Sequence, residues 1–255
     1  MPDWNYLLIL LFSACRMFGV IFMNPVFGRQ TLPTIAKIGL ALGVAMFAAQ
    51  DLVSADVTNY SGIDMMFSMV KEFIVGFTLG FVMTLFFGVF HIGGQIIDFQ
   101  MGLAMATAFD PTSNSQITIT GNLMTIFYTL LFFVTNSHMN LLAIAMHSYR
   151  VAPLGLEALE GNIGVYVAEL FAYILIYAVQ LSLPWIVTIM VVEVAVGIMM
   201  KVVPNINVFV VNIQMKVVCG LVVLVTIIPT LVRFMTQLNG LMMEQLEDVL
   251  THLAV

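Results

Sequence analysis

The sequence predicts an all-α membrane protein, and three observations carry that reading. Of 255 residues, 61% are hydrophobic and 9% charged, against about 25% charged in an ordinary soluble domain. A soluble globule cannot hide so much apolar surface, because much of any small protein's surface stays near water. The apolar residues also come in runs as long as a membrane helix, and glycines recur four apart along those runs. The same composition excludes disorder, a disulfide scaffold and a coiled coil. Eight scattered cations and a net charge of −6 offer no basic face for nucleic acid. Cys15 and Cys219 sit in separate apolar runs and read as small hydrophobes, not as a redox or metal pair.

Residues 7–27 form the first span, about 20 residues long, carrying Arg16 and closed by Asn24 and Pro25. No basic stretch precedes it, so it reads as a retained helix and not a cleaved signal peptide. Residues 34–49 are marginal for crossing alone, and their Gly39 and Gly43 have the spacing that lets helix backbones approach closely. Arg29 and Lys37 place the loop between these two runs on the cytoplasmic side, with the Asp-rich connector 51–64 outside. Residues 67–94 are almost wholly apolar after Lys71 and Glu72. Gly76, Gly80, Thr84 and Gly88 line one face, which predicts a helix packed against protein and not lipid.

Residues 121–146 are apolar but interrupted by Thr135, Asn136, Ser137 and His138, which predicts two short helices. A linker with Pro153, Gly155, Glu157, Glu160 and Gly161 follows. Residues 164–200 would make a straight helix of about 55 Å, well beyond a hydrocarbon core of about 30 Å, with Pro184 as a kink. A turn at Pro204, Asn205, Ile206 and Asn207 leads to a helix over 208–234 with Pro229 near its end. Residues 237–253 read as an amphipathic acidic tail (Glu244, Glu247, Asp248) facing water or a partner.

Residues 95–108 are too polar for lipid while keeping helical character; Asp98 alone costs about 2.5 to 3.5 kcal/mol at a bilayer centre. They run into Phe109, Asp110, Pro111, Thr112, Ser113, Asn114, Ser115 and Gln116, a loop by its Asp-Pro and small polar residues. Irregular backbone at membrane depth must be buried in protein or line a wet cavity, so this loop is either a channel element or an ordinary extramembrane loop. Glu193 and Lys216 stand equidistant from the turn at Pro204 and Asn205. In an antiparallel hairpin they lie at one height and can pair, with Lys201, two turns beyond Glu193, as a rival. A buried pair of this kind fixes hairpin register more than it adds stability; either charge could also snorkel to water or meet another subunit. The chain carries no nucleotide, zinc-protease or serine-nucleophile motif, and His91, His138, His147 and His252 stand singly. It reads as a non-enzyme without cofactor or metal.

Several segments together resemble the FliR family of flagellar export-gate proteins and its relatives in virulence type III secretion. They are Arg16, Pro25, Arg29, Pro33 and the run Lys37, Ile38, Gly39, Leu40; then Glu72, Gly76, Leu79, Gly80 and Phe81. Within 94–113 they include Gln100, Met101, Gly102, Leu103, Ala106, Thr107, Asp110 and Pro111. They end with Leu183, Pro184, Glu193, Gly197, Pro204, Asn207 and Phe209. Lys201 departs from the Arg expected near the turn. The resemblance implies a subunit of a hetero-oligomeric export gate of stacked, kinked helical hairpins in the bacterial inner membrane, at the flagellar basal body. Its implied partners are P-type and Q-type gate subunits, B- and A-type export proteins and the unfolded flagellar proteins that pass. It also implies a P-like portion over 1–160 and a Q-like hairpin with its tail over 161–255. Residues 109–116 are then a pore plug, with Met101 and Met105, four apart on one face beside it, either sealing the lumen or packing as ordinary helix residues. A virulence injectisome subunit and a small-solute transporter are the rival readings. The transporter is disfavoured because Pro184 has no counterpart in the first half and no acidic cluster marks a coupling-ion site.

Overall fold

The structure is a computed structural model that describes residues 4–52, 62–103, 118–155, 163–203 and 207–254. Every regular element among them is a helix: α1 (Trp4–Met23), α2 (Thr34–Asp51), α3 (Gly62–Met101), α4 (Ile119–Val134), α5 (Ser137–Val151), α6 (Ile163–Val202) and α7 (Val208–Ala254). Helices α1, α2, α3, α6 and α7 are long and apolar enough to cross a membrane, and α4 with α5, bent 72° apart, makes a sixth span if taken as one. The chain is an all-α, multi-pass membrane protein. It divides into two compact units, one of Met1–Phe86, Phe132–Leu170 and Asn239–Val255, the other of Phe87–Leu131 and Phe171–Leu238.

In the first unit, α1 lies directly on the small-residue stripe of α3. A Cβ on Gly76 would collide with the carbonyl oxygen of Arg16, and one on Gly80 would stand 2.8 Å from Met23 Cβ. Thr84 Oγ1 donates to Met23 O at 2.6 Å. The reciprocal notch is Gly19, where a Cβ would come within 2.6 Å of Phe73 O. Three stripe positions thus meet α1, whereas Gly88 has nothing within 4 Å. Helix α2 lies against α1 and buries Ala41, Ala45, Ala48 and Ala49. Its Gly39 and Gly43 make no close helix contact and face open space, against the expectation from their spacing. Between α4 and α5 the chain turns at Asn136, whose φ of 56° is left-handed, a conformation that Asn tolerates and β-branched residues do not.

The acidic tail is not a separate outward element. Helix α7 runs on through Pro229 because its apolar period does not stop there: Leu231, Met235, Leu238, Met242, Leu246, Val249, Leu250 and Leu253 are all buried. In the first unit the last part of α7 docks by this stripe. Asn239 Nδ2 donates to Ser137 Oγ at 2.7 Å, and Tyr166 OH to Gln245 Oε1 at 2.8 Å. Glu244 and Glu247 stay exposed on the opposite side.

In the second unit the rings of Phe87 and Phe90 sit 4.7 and 4.4 Å from that of Tyr128, joining α3 to α4. At Gly93 a Cβ would meet Ala178 O at 3.0 Å and Leu181 Cδ2 at 2.8 Å, so α6 crosses α3 closely there. Helices α6 and α7 form an antiparallel hairpin. Their links follow in reverse order along the two chains: Tyr177 with Phe234, Trp185 with Gly220, and Glu193 with Lys216.

Candidate functional site

The candidate site lies in the second unit, where α3 ends and α4 begins. Helix α3 stops at Met101 because Gly102 takes a φ of 77°. Leu103 N then bonds Asp98 O at 3.0 Å and Gly102 N bonds Phe99 O at 3.1 Å, the paired closure of a glycine-terminated helix. Helix α3 therefore ends at a left-handed glycine, and residues 104–108 of the stretch expected to keep helical character lie outside the described residues.

Asp98, the costly charge of the sequence, is buried and fully engaged. The Thr120 backbone N–H, in the first turn of α4, donates to both carboxylate oxygens at 3.2 Å, and the Thr120 hydroxyl donates to Oδ1. A carboxylate at a helix N-terminus satisfies an orphan N–H and meets the positive end of the helix dipole. Four residues earlier the two backbones touch, since a Cβ on Gly94 would collide with Gly121 Cα. Asp98, Thr120, Gly94 and Gly121 thus form a clasp that holds the end of α3 to the start of α4.

Met101 is buried with its thioether over Gly220, where a Cβ would stand 2.6 Å from Met101 Cε. The buried Trp185 indole N–H donates to Gly220 O at 3.2 Å, so the end of α3 is seated on the α6–α7 hairpin. Met105 and the loop residues Phe109, Asp110, Pro111, Thr112, Ser113, Asn114, Ser115 and Gln116 lie outside the described residues. Lower on the hairpin, Lys216 Nζ is 2.5 Å from Glu193 Oε1, and Lys201 is not the partner of Glu193.

Sequence reasoning missed a second ion pair, in the first unit. Arg16 Nε donates to Glu72 Oε2 at 2.6 Å. Its Nη1 donates to Ser148 Oγ at 3.2 Å and its Nη2 to Ala152 O at 2.8 Å. The guanidinium also lies 4.4 Å from the centre of the Tyr149 ring, whose hydroxyl donates to Ser13 O at 2.9 Å. Glu72 Oε1 accepts from Gly155 N at 3.1 Å. One guanidinium thereby ties α1, α3, α5 and the chain after α5. The available signal was a lone Arg in one apolar run and a lone Glu at the edge of another, each needing a partner.

The model for "Bacterial export proteins, family 1" matches residues 7–242. The flagellar biosynthetic protein FliR of Escherichia coli (strain K12) is 25% identical, over 98% of this chain and 95% of that protein. FliR of Bacillus subtilis (strain 168) is 27% identical, over 97% and 95%. The Yop proteins translocation protein T of Yersinia pestis is 27% identical, over 84% and 82%. With the family model covering most of its length, the chain belongs to the bacterial export proteins, family 1.

Proposed function

We propose that this chain is a membrane subunit of a type III protein-export gate, specifically the flagellar one, through which unfolded flagellar proteins leave the cytoplasm. The observation that carries this is the family match over residues 7–242, together with FliR-named relatives aligned over nearly their whole length. The role is structural, not enzymatic. The Yop translocation relative supports a second reading, the equivalent subunit of a virulence injectisome. Its partners are P-type and Q-type gate subunits, the B- and A-type export proteins and the exported chains, at the basal body in the inner membrane. The portion 1–160 acts as the P-like part and 161–255 as the Q-like hairpin.

Within this reading residues 109–116 plug the closed pore, and Met101 and Met105 seal beside it. The Glu193–Lys216 pair sets hairpin register. Removing the gene and restoring it on a plasmid tests the export role: secretion of flagellar hook and filament proteins should stop and return. Continued flagellar secretion with loss of a virulence effector would favour the injectisome, and full secretion of both would overturn the gate reading. Deleting residues 112–115 should leave the gate assembled and the membrane leaky to ions; an assembled mutant gate with unchanged conductance refutes the plug.

A further inference from the structure

We propose that the first turn of α4 has two interchangeable caps, the Asp98 carboxylate of α3 and the hydroxyl of its own Thr118. Passage from one to the other lets the end of α3 detach from α4 without leaving α4 uncapped. The inference rests on groups of the second unit alone and goes beyond the export role.

Thr118 occupies the N-cap position of α4. The helix begins at Ile119, and Thr118 O accepts its first intrahelical bond, from Asn122 N at 3.0 Å. A Thr at that place ordinarily turns its hydroxyl onto the backbone N–H of the second or third helical residue, here Thr120 or Gly121. It does neither. The Thr120 N–H is taken by both oxygens of Asp98, and Thr118 Oγ1 is buried with no hydrogen-bond partner among the described residues. A buried hydroxyl left in that state is costly. The orphan stands over the position it would cap. A Cβ on Gly121 would lie 2.7 Å from Thr118 Oγ1, and Gly121 has no side chain to keep the hydroxyl from the backbone.

Asp98 depends on α4 and not on its own helix. It lies in the last turn of α3, where the macrodipole presents its negative end and no basic residue stands. Its stabilisation comes from the Thr120 N–H, the Thr120 hydroxyl and the positive end of α4. Hydrogen bonds to an ionised acceptor are about twice as strong as neutral ones, so the arrangement with Asp98 as cap prevails. Opening forfeits those bonds, yet it recovers one from Thr118 and relieves the buried orphan. The other contact of the clasp, between Gly94 and Gly121, is backbone against backbone, so neither residue has a side chain to disengage. The two caps therefore define two states of one helix end, close enough in free energy for both to be populated.

The test is residue-resolved hydrogen exchange, read by mass spectrometry with electron-transfer fragmentation, on the full chain in its membrane complex. Exchange of a protected amide tracks the population of the opened state. In Asp98→Ala the Thr120 amide should exchange at least about fivefold faster, and the Gly121 amide about fivefold slower as Thr118 takes over. Adding Thr118→Val to Asp98→Ala should leave both amides fast, whereas adding Thr118→Ser should keep Gly121 protected. Thr118→Val alone preserves the side-chain shape and removes the cap of the opened state. Thr120 should then exchange about fivefold more slowly than in wild type. A Gly121 rate unchanged by Asp98→Ala, or equal in that variant and in its double with Thr118→Val, overturns the proposal. So does exchange at Thr120 in Thr118→Val as fast as wild type or faster, a result that can be read even if Asp98→Ala does not fold.

Discussion

The two ion pairs have the same chemistry in opposite surroundings. Arg16 and Glu72 have side chains 1% and 3% exposed, and hydroxyl, carbonyl, amide and ring partners occupy the rest of their valence. Lys216 and Glu193 are 16% and 51% exposed and, among the described residues, their side chains bond only each other. The helices around them differ in the same sense. The most apolar stretch of α3 is 67% buried within the chain, that of α6 22% and that of α7 11%, at similar hydropathy. The first pair closes a finished core. The second lies on a hairpin whose apolar faces remain largely exposed in the chain.

The largest effect should come from opening the finished core. Glu72→Ala leaves a buried guanidinium without its counter-charge and should cost about 3–5 kcal/mol, seen as a collapse in yield and melting temperature of the purified chain. A variant that melts like wild type would show the pair to be solvated. Gly76→Ala should follow, at about 1–3 kcal/mol of overpacking, because α1 must lift off α3 to admit the methyl; retained cross-linking between cysteines placed on α1 and α3 would contradict this. Asp98→Asn should cost about 1–3 kcal/mol through weaker acceptance from Thr120, and hydrogen exchange at the first turn of α4 should rise. Unchanged exchange there would mean that the clasp is not carried by charge. The smallest change in chain stability is expected for Lys216→Ala, below about 1 kcal/mol for so open a pair. Assembly with partners should suffer more, and the double change with Glu193→Ala should recover part of it. If Lys216→Ala destabilised the isolated chain as much as Glu72→Ala, the contrast between the regions would vanish.

Local chemistry was legible and long-range pairing was not. The break between α4 and α5 was readable because Asn136 accepts a left-handed φ, and the hairpin because Pro204 and its neighbours punctuate two long apolar runs. The stripe at Gly76, Gly80 and Thr84 was readable from its spacing. The same spacing misled at Gly39 and Gly43, since small residues permit a close approach without compelling one. Pro229 suggested a helix end, yet losing one backbone bond weighed less than the buried stripe that continues past it. Arg16 and Glu72 are 56 positions apart, and their meeting depends on the relative rotation of two helices, which no local pattern encodes. Asp98 was recognised as costly, but its partner lies across a segment whose path composition does not specify.

The contact between Gly76 and the Arg16 carbonyl also has a genetic consequence. Every missense change reachable from a glycine codon by one base introduces a Cβ, so codon 76 has no tolerated neighbour in sequence space. Codon 88, whose glycine meets nothing within 4 Å, has many. A library of random variants selected for export should therefore return synonymous codons alone at position 76 and a spread of residues at position 88, although the two glycines sit on one stripe of one helix.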